Sequence, residues 1–313
     1  MAETLPVIII AGPTAGGKSA LAVALAEALG GTVINADSMQ VYDALPRLTA
    51  QPGRDATARV PHRLYGVIPA HERCSAGRWL RLAADAVGEA RAAGRLPVVV
   101  GGTGLYLNAL MHGLVEMPEV PETVRRSTDR LMERLGPPAV RHLLWPDDPR
   151  ARDLAPRDRQ RLRRAWQVLM ATGRPLPWWQ RHAHAPSPVA ARFHAIRLMP
   201  PRDALYAACD GRFDAMLRLG ATAEVAALEA RRVPADRPAL KALGVPPLRA
   251  ALAGEITMTE ARRRAQRDTR RYAKRQLTWF RHQMTGGLVL ETADPAEARE
   301  RALAWLRERG AGR

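Results

Sequence analysis

The run Val7-Ile8-Ile9-Ile10 leads through Ala11 into Gly12-Pro13-Thr14-Ala15-Gly16-Gly17-Lys18-Ser19, and the amphipathic stretch Ala20 to Leu29 follows. A buried strand, a glycine-rich turn and a helix in that order make the spacing G-x-x-x-x-G-K-[ST] a phosphate site. The glycines let backbone N–H groups converge on an anion, the helix N-terminus adds partial positive charge, and Lys18 adds a full one. Ser19 is the expected ligand of a Mg²⁺ that bridges the same phosphates. This stretch predicts an α/β fold of the P-loop type, a parallel sheet flanked by helices.

Working outward, Gly30-Gly31 ends the first helix and a second strand, Thr32 to Ala36, delivers Asp37-Ser38-Met39-Gln40-Val41-Tyr42 at its carboxyl end. Ligands of open α/β sheets bind at that end. Asp37 is therefore expected beside the phosphate loop, as a helix cap, a Mg²⁺ ligand or a general base. Ser75 caps a predicted helix to about Ala93, with Trp79, Leu82, Ala83, Ala86 and Val87 on its buried face. A third strand, Pro97 to Val100, then ends in Gly101-Gly102-Thr103-Gly104-Leu105-Tyr106, where the Thr103 hydroxyl either meets a ligand or ties down its own turn.

From about Gly113 to Ala191 the βα alternation gives way to helices separated by proline clusters, so residues 113–191 are expected to form an inserted helical domain within a core of 1–112 and 192–313. Its most informative helix carries Leu162, Trp166, Leu169 and Met170 on one side and Arg157, Gln160 and Arg164 on the other. A strand at Phe193 to Met199 resumes the sheet, followed by helices near Ala204 to Leu219, in which Arg212 borders the apolar stripe, and Thr222 to Arg232. The last long helix starts at a capping box, Thr257 to Glu260, and ends near Gly286-Gly287. Its apolar stripe is Thr269, Ala273, Leu277, Phe280 and Met284, bordered by Arg263, Arg267, Arg270, Lys274 and Arg281 as a candidate track for a phosphate backbone. An edge strand at Leu288 to Thr292 and a closing helix at Pro295 to Arg309 complete the prediction.

Of 313 residues, 47% are hydrophobic, enough for one large core with a smaller unit, and no apolar stretch is long enough to span a bilayer. Neither a signal peptide nor a membrane partner is expected, and the cytoplasm is the expected location. Cys74 and Cys209 stand far apart and outside any C-x-x-C pair, which excludes a disulfide framework. A formal charge of +17 points to a polyanionic partner larger than a nucleotide.

Taken together, GPTAGGKS at Gly12 to Ser19, DSMQVY at Asp37 to Tyr42, GGTGLY at Gly101 to Tyr106, QRLRR at Gln160 to Arg164, Gly211-Arg212-Phe213 and YAKRQLTWFR at Tyr272 to Arg281 resemble the tRNA dimethylallyltransferases, in that family's order and spacing. The resemblance implies transfer of a dimethylallyl group from its diphosphate to N6 of adenosine 37 of tRNA, beside the anticodon, with release of diphosphate. It further implies that Gly12, Pro13, Thr14, Ala15, Gly16, Gly17, Lys18, Ser19 and Arg212 hold the diphosphate, with Mg²⁺ on Ser19, and that Asp37 and Thr103 serve the reacting centre. Asp37, Ser38, Met39, Gln40, Thr103, Arg125, Gln160, Arg161, Leu162, Arg163, Arg164 and Lys274 are the implied tRNA contacts. The expected partners are the anticodon stem-loop of tRNA and dimethylallyl diphosphate, and a monomer is expected.

The chain departs from the family pattern at Ala44 to Pro52, where Gln51 replaces a lysine and Arg47 is the candidate to compensate, and at Leu243-Gly244-Val245, which lacks an aromatic ring. A small-molecule P-loop kinase would use the same loop for ATP phosphates, but leaves the +17 charge and the basic last helix without a purpose. A non-catalytic RNA-binding GTPase or ATPase would need an acid where the Val98 to Val100 strand ends in glycines.

Overall fold

The computed structural model describes residues 5–311. The strand before the glycine-rich turn, β1 (Pro6–Ala11), lies at the centre of the main sheet. It leads into α1 (Lys18–Ala28), β2 (Gly31–Asn35), α2 (Arg54–Arg59), β3 (His62–Arg63), α3 (Ala76–Ala92), β4 (Leu96–Gly101) and α4 (Gly104–His112). The chain then leaves for β5 (Leu114–Val115), α5 (Glu122–Leu144), α6 (Arg159–Thr172), α7 (Leu176–His182) and β6 (His184–Ala185). It returns as β7 (Arg192–Leu198), α8 (Arg202–Arg218), α9 (Ala221–Ala230), α10 (Val245–Leu252), α11 (Met258–Gln283), β8 (Leu288–Leu290) and α12 (Pro295–Glu308).

Two compact units result, one formed by the chain up to Met111 together with Pro188 onward, the other by His112–Ser187. In the first, six parallel strands run in the order β3-β2-β4-β1-β7-β8. Val7 to Ile10 are fully buried, so β1 is covered on both faces, as an all-parallel sheet requires. On one face Ile8, Ile10, Val98 and Val100 meet Leu21 and Leu25 of α1 and Leu303 and Leu306 of α12. At the carboxyl ends, Ala11 pairs with Gly101 of β4 and with Arg197 of β7, so the turn at Gly12 opens between the ends of both neighbours. β1 is thus a switch point, since the chain moves to one side of it for β2 and β4 and to the other for β7.

Helix ends follow local chemistry. Ser75 Oγ accepts from the Arg78 amide at 3.1 Å and Thr257 Oγ1 from the Glu260 amide at 3.2 Å. The Glu260 carboxylate, however, is bound by Arg263 and Arg264, so the expected reciprocal half of the capping box is replaced by ion pairs. The buried face of α3 is Trp79, Leu80, Ala83, Ala86, Val87 and Ala90, and the predicted Leu82 is only half-buried because the helix turns its stripe one residue toward Leu80.

In the second unit α5 is broken at Gly136, whose φ of 76° and ψ of 162° precede Pro137-Pro138. Its core is Met132, Val140, Leu144, Ala151, Leu162, Ala165 and Leu169. Met170, expected on the buried side of α6, is 49% exposed, since one step past Leu169 rotates it off the stripe. A short antiparallel pair, β5 with β6, ties the two ends of this unit together.

Because Ile10 is fully buried in the central strand, Ile10→Ala should cost about 2–5 kcal/mol, read as a lowered melting temperature.

Candidate active site

The loop after β1 leaves donors open. The Gly16 amide donates to Pro13 O at 3.1 Å, but the amides of Gly17, Lys18 and Ser19 have no acceptor among the described residues. They are the unsatisfied N–H groups of a helix start, with its partial positive charge. Lys18 Nζ rests on Pro13 O at 2.5 Å. Burial draws the Lys18 pKa down to about 8, with the Asp37 charge opposing and Arg212 adding to the fall. Arg212 reaches from α8 to within 3.4 Å of Thr14 Oγ1 and of Thr49 O, and burial lowers its pKa too, against the pull of Asp37. Ser19 stands exposed on the first turn of α1. Among the described residues no cluster of three His, Cys, Asp or Glu could cage a metal, so a Mg²⁺ here fits only as an ion shared between Ser19 and a bound phosphate with water.

Asp37 sits at the end of β2 in a frame made by Asn35. The Asn35 side chain accepts from the Asp37 amide at 2.8 Å and donates to Asp37 O at 3.1 Å and Leu64 O at 3.0 Å. Asn35 O in turn accepts from Trp79 Nε1 at 2.9 Å, and Trp79 stacks on Tyr106 with ring centroids 4.5 Å apart. Asp37 Oδ1 accepts from the Met39 amide at 2.8 Å, a local turn bond, while Oδ2 has no hydrogen-bond or ion-pair partner among the described residues. The Thr103 hydroxyl accepts from the Ser38 amide at 2.9 Å, so it acts as a positioning group for the Asp37 segment.

A cavity of about 330 Å³ opens at these strand ends, lined by Thr14, Asp37, Ser38 and Arg212 and walled by Met39, Leu48, Phe213, Met216 and Leu243. Tyr272 and Arg275 of α11 and Lys241 also border it. Burial above all, with the Asp37 charge, raises the Tyr272 pKa and keeps the phenol protonated. Burial likewise lifts the Cys209 thiol, in the same lining, to about 11. The result is a pocket with a largely apolar wall on which Asp37, Arg212 and Thr14 of the glycine-rich turn converge.

The segment Ala44 to Pro52 supports this wall. Glu224 of α9, buried, accepts from the Arg47 and Leu48 amides at 2.8 and 2.9 Å. Gln40 Nε2 donates to Thr49 O and Ala50 O at 2.8 and 2.9 Å, so its amide is committed to this loop and does not line the cavity. Gln51 donates to Tyr42 O at 2.8 Å, and Arg47 is exposed outside the lining, so neither supplies a cation to the pocket. Val245, where the aromatic ring is lost, is fully buried outside the lining, and its neighbour Leu243 lines the cavity.

The cations expected to meet RNA are unequal. In the second unit Leu162 is fully buried, Arg163 pairs with Asp129 at 2.8 Å, and Arg161 lies 3.5 Å from Asp158, while Gln160 is exposed. Leu162 therefore holds α6 in place and cannot itself touch a ligand. Arg125 and Arg164 are both half-buried, and Arg164 has its pKa lowered by burial and then by Arg125. On α11, Arg263 and Arg267 bind Glu260 and Asp268, and Arg270 binds Asp210. Lys274 is exposed with no acidic partner among the described residues. The basic stripe is thus partly neutralised by its own neighbours.

Comparison with known proteins matches these features to one family. The IPP transferase family model matches residues 40–283, and the isopentenyl transferase model residues 5–65. A tRNA dimethylallyltransferase of Rhodospirillum centenum is 53% identical over 298 residues, 95% of each chain. The chain belongs to the tRNA dimethylallyltransferase family. A second relative of that name, from Phenylobacterium zucineum, is 51% identical over 94% of each chain. Among solved structures, a tRNA isopentenylpyrophosphate transferase of Bacillus halodurans matches with TM-score 0.70 and 31% identity over 98% of each chain. A eukaryotic dimethylallyltransferase acting on tRNA matches with TM-score 0.82 and 26% identity, covering 99% of this chain and 80% of that one.

Family motifs singled out Asp37 and Lys18 but not Asn35 or Glu224, and Gln276 of α11 fell within the Tyr272 to Arg281 motif without a role assigned to it. The available signal was a polar residue inside an apolar pattern: Asn35 closing a buried strand, Glu224 among alanines and valine, and Gln276 on the apolar stripe. Asn35→Ala should strand the Asp37 amide and Leu64 carbonyl and cost about 1–3 kcal/mol, measured as lost thermal stability.

Proposed function

We propose that this transferase moves the dimethylallyl group of dimethylallyl diphosphate to N6 of the adenosine at position 37 of tRNA, beside the anticodon. The observation that carries the reading is the cavity itself, with apolar walls of a size for a short prenyl chain and with Asp37, Arg212 and Thr14 of the glycine-rich turn in the same lining.

In the reaction the allylic C1–O bond breaks as the N6–C1 bond forms, the N6 proton passes to Asp37, and diphosphate leaves. Lys18, Arg212 and the amides of Gly17 to Ser19 stabilise the charge that grows on the leaving oxygen. A bound Mg²⁺, held by Ser19 and the diphosphate, would add further neutralisation of that charge. Asp37, with its backbone clamped by Asn35 and Thr103, orients the amine and takes its proton. The adenine must leave its stack to reach the cavity, which calls for a grip on the surrounding loop. Arg125 and Arg164 in one unit and Lys274 in the other are read as contacts to RNA phosphates. The protein is taken to work in the cytoplasm as a monomer.

Incubation with dimethylallyl diphosphate and tRNA, followed by mass spectrometry of the nucleosides, tests the reading: a prenylated adenosine is expected, and ATP consumption without one would overturn it. Asp37→Ala should lower kcat by about 10² or more with little change in tRNA affinity. Lys18→Ala and Arg212→Ala should weaken diphosphate binding or turnover while tRNA affinity holds, as titration with each ligand would show.

Salt dependence separates the basic residues. Arg164→Ala and Lys274→Ala should each lower the slope of log K against log salt for an anticodon stem-loop by about one unit or less. Arg270→Ala, which frees Asp210 as it removes a cation already paired, should lower that slope by less than Lys274→Ala does.

A further inference from the structure

Gln276 is a long polar side chain on the buried stripe of α11, only 6% exposed. Both ends of its amide are occupied, and by two different loops. Oε1 accepts from the Thr14 amide of the P-loop at 2.8 Å. Nε2 donates to Gly102 O at 2.7 Å. The next residue but one from Thr14 is Gly16, whose amide is also spent locally, and the residue after Gly102 is Thr103, which accepts from Ser38 beside Asp37.

The two loops are shaped around this contact. A Cβ on Gly102 would lie 2.3 Å from Gln276 Nε2, and a Cβ on Gly104 would lie 2.3 Å from the Trp279 ring, one turn further along α11. At Gly102 and Gly104, therefore, a side chain would fit only if Gln276 or Trp279 of α11 moved aside. A side chain kept at this position only to fill space would be apolar, like its stripe neighbours Ala273, Leu277 and Phe280. A buried amide satisfied at both ends instead sets a distance between the groups it joins.

We propose that Gln276 is a positioning residue for catalysis: its side-chain amide holds the diphosphate loop at Thr14 and the Gly102–Thr103 loop in one register, and so fixes the leaving group relative to Asp37. This rests on the reading of the site given above. By satisfying the Thr14 amide internally, Gln276 also leaves phosphate binding to the donors at Gly17 to Ser19, which points the anion to the helix start. Geometry of this kind carries large rate factors, since displacement of reacting groups by about 1 Å can cost on the order of 10²-fold. Removing the partner that orients a metal ligand costs about 10- to 100-fold, and a residue that orients two substrate-binding loops acts by the same means.

The test compares the wild type with Gln276→Met, which keeps the length and loses both hydrogen bonds, and Gln276→Asn, which keeps the amide but is one methylene too short to span both loops. Activity is followed as prenyl transfer to tRNA, with separate titrations of inorganic diphosphate and of an anticodon stem-loop, well below each variant's melting temperature. The expected result is a kcat at least about tenfold lower in Gln276→Met, with a smaller loss in Gln276→Asn. Diphosphate binding should weaken in the same order, while stem-loop affinity stays within about twofold of the wild type. If the folded variants lose melting temperature alone, with kcat and diphosphate affinity intact, Gln276 is a packing residue and the proposal fails. A loss confined to stem-loop affinity also overturns it, because α11 would then act on the RNA and not on the loops. Should Gln276→Met not fold, Gln276→Asn decides by the same criteria. Wild-type protein that transfers no prenyl group would instead refute the function itself, a result distinguishable from failure of this proposal.

Discussion

Two cations, Lys18 and Arg212, are drawn partly out of water at the ends of parallel strands, and a single carboxylate, Asp37, supports the charged form of both. Charge removed from water is costly unless it is paired, and here the pairing is incomplete. Among the described residues, Lys18 turns back onto a backbone carbonyl and Arg212 makes only long contacts, while three amides at the start of α1 lack acceptors. An anion with several oxygens would satisfy all of these groups together. The central sheet, covered on both faces, places these groups at adjoining strand ends.

Much of the surrounding structure consists of backbone clamps. Asn35 secures Asp37, Thr103 secures Ser38, Glu224 and Gln40 secure the loop that carries Leu48 and Thr49, and Gln276 joins the P-loop to Gly102. Each is a polar side chain whose donors or acceptors are spent on main-chain groups of a functional loop. Loops carry the chemistry because strand ends converge there, but a loop needs such partners to hold a fixed geometry.

The surface charge divides in a similar way. Many arginines of α11 and α6 bind carboxylates on their own or a neighbouring element, as Arg262 does with Asp214 and Arg163 with Asp129. Exposed pairs of this kind add little to stability, yet they reduce the positive field along those faces. Lys274, without an acidic partner among the described residues, and the half-buried neighbours Arg125 and Arg164 are where excess charge remains available. A net charge of +17 therefore overstates how many cations are free for a polyanion.

Periodicity and punctuation in the sequence determined most elements of the sheet, because β1 and β4 are short apolar runs bounded by turn residues and α1 and α11 carry unbroken stripes with stops, whereas the two-residue edge strand β3, His62–Arg63, has no apolar pattern to announce it. Local spacing likewise made the phosphate loop legible, since all of its parts lie within eight consecutive residues. The strand order was not written locally, and neither was the partner of any clamp: Thr14 and Gln276 stand 262 residues apart, and Leu48 and Glu224 176. Nor could pattern tell a free arginine from a paired one, or a tRNA-motif leucine from the core leucine that Leu162 proves to be. Such outcomes depend on which distant groups the packed sheet and helices bring within hydrogen-bonding reach, and only the tertiary structure decides that.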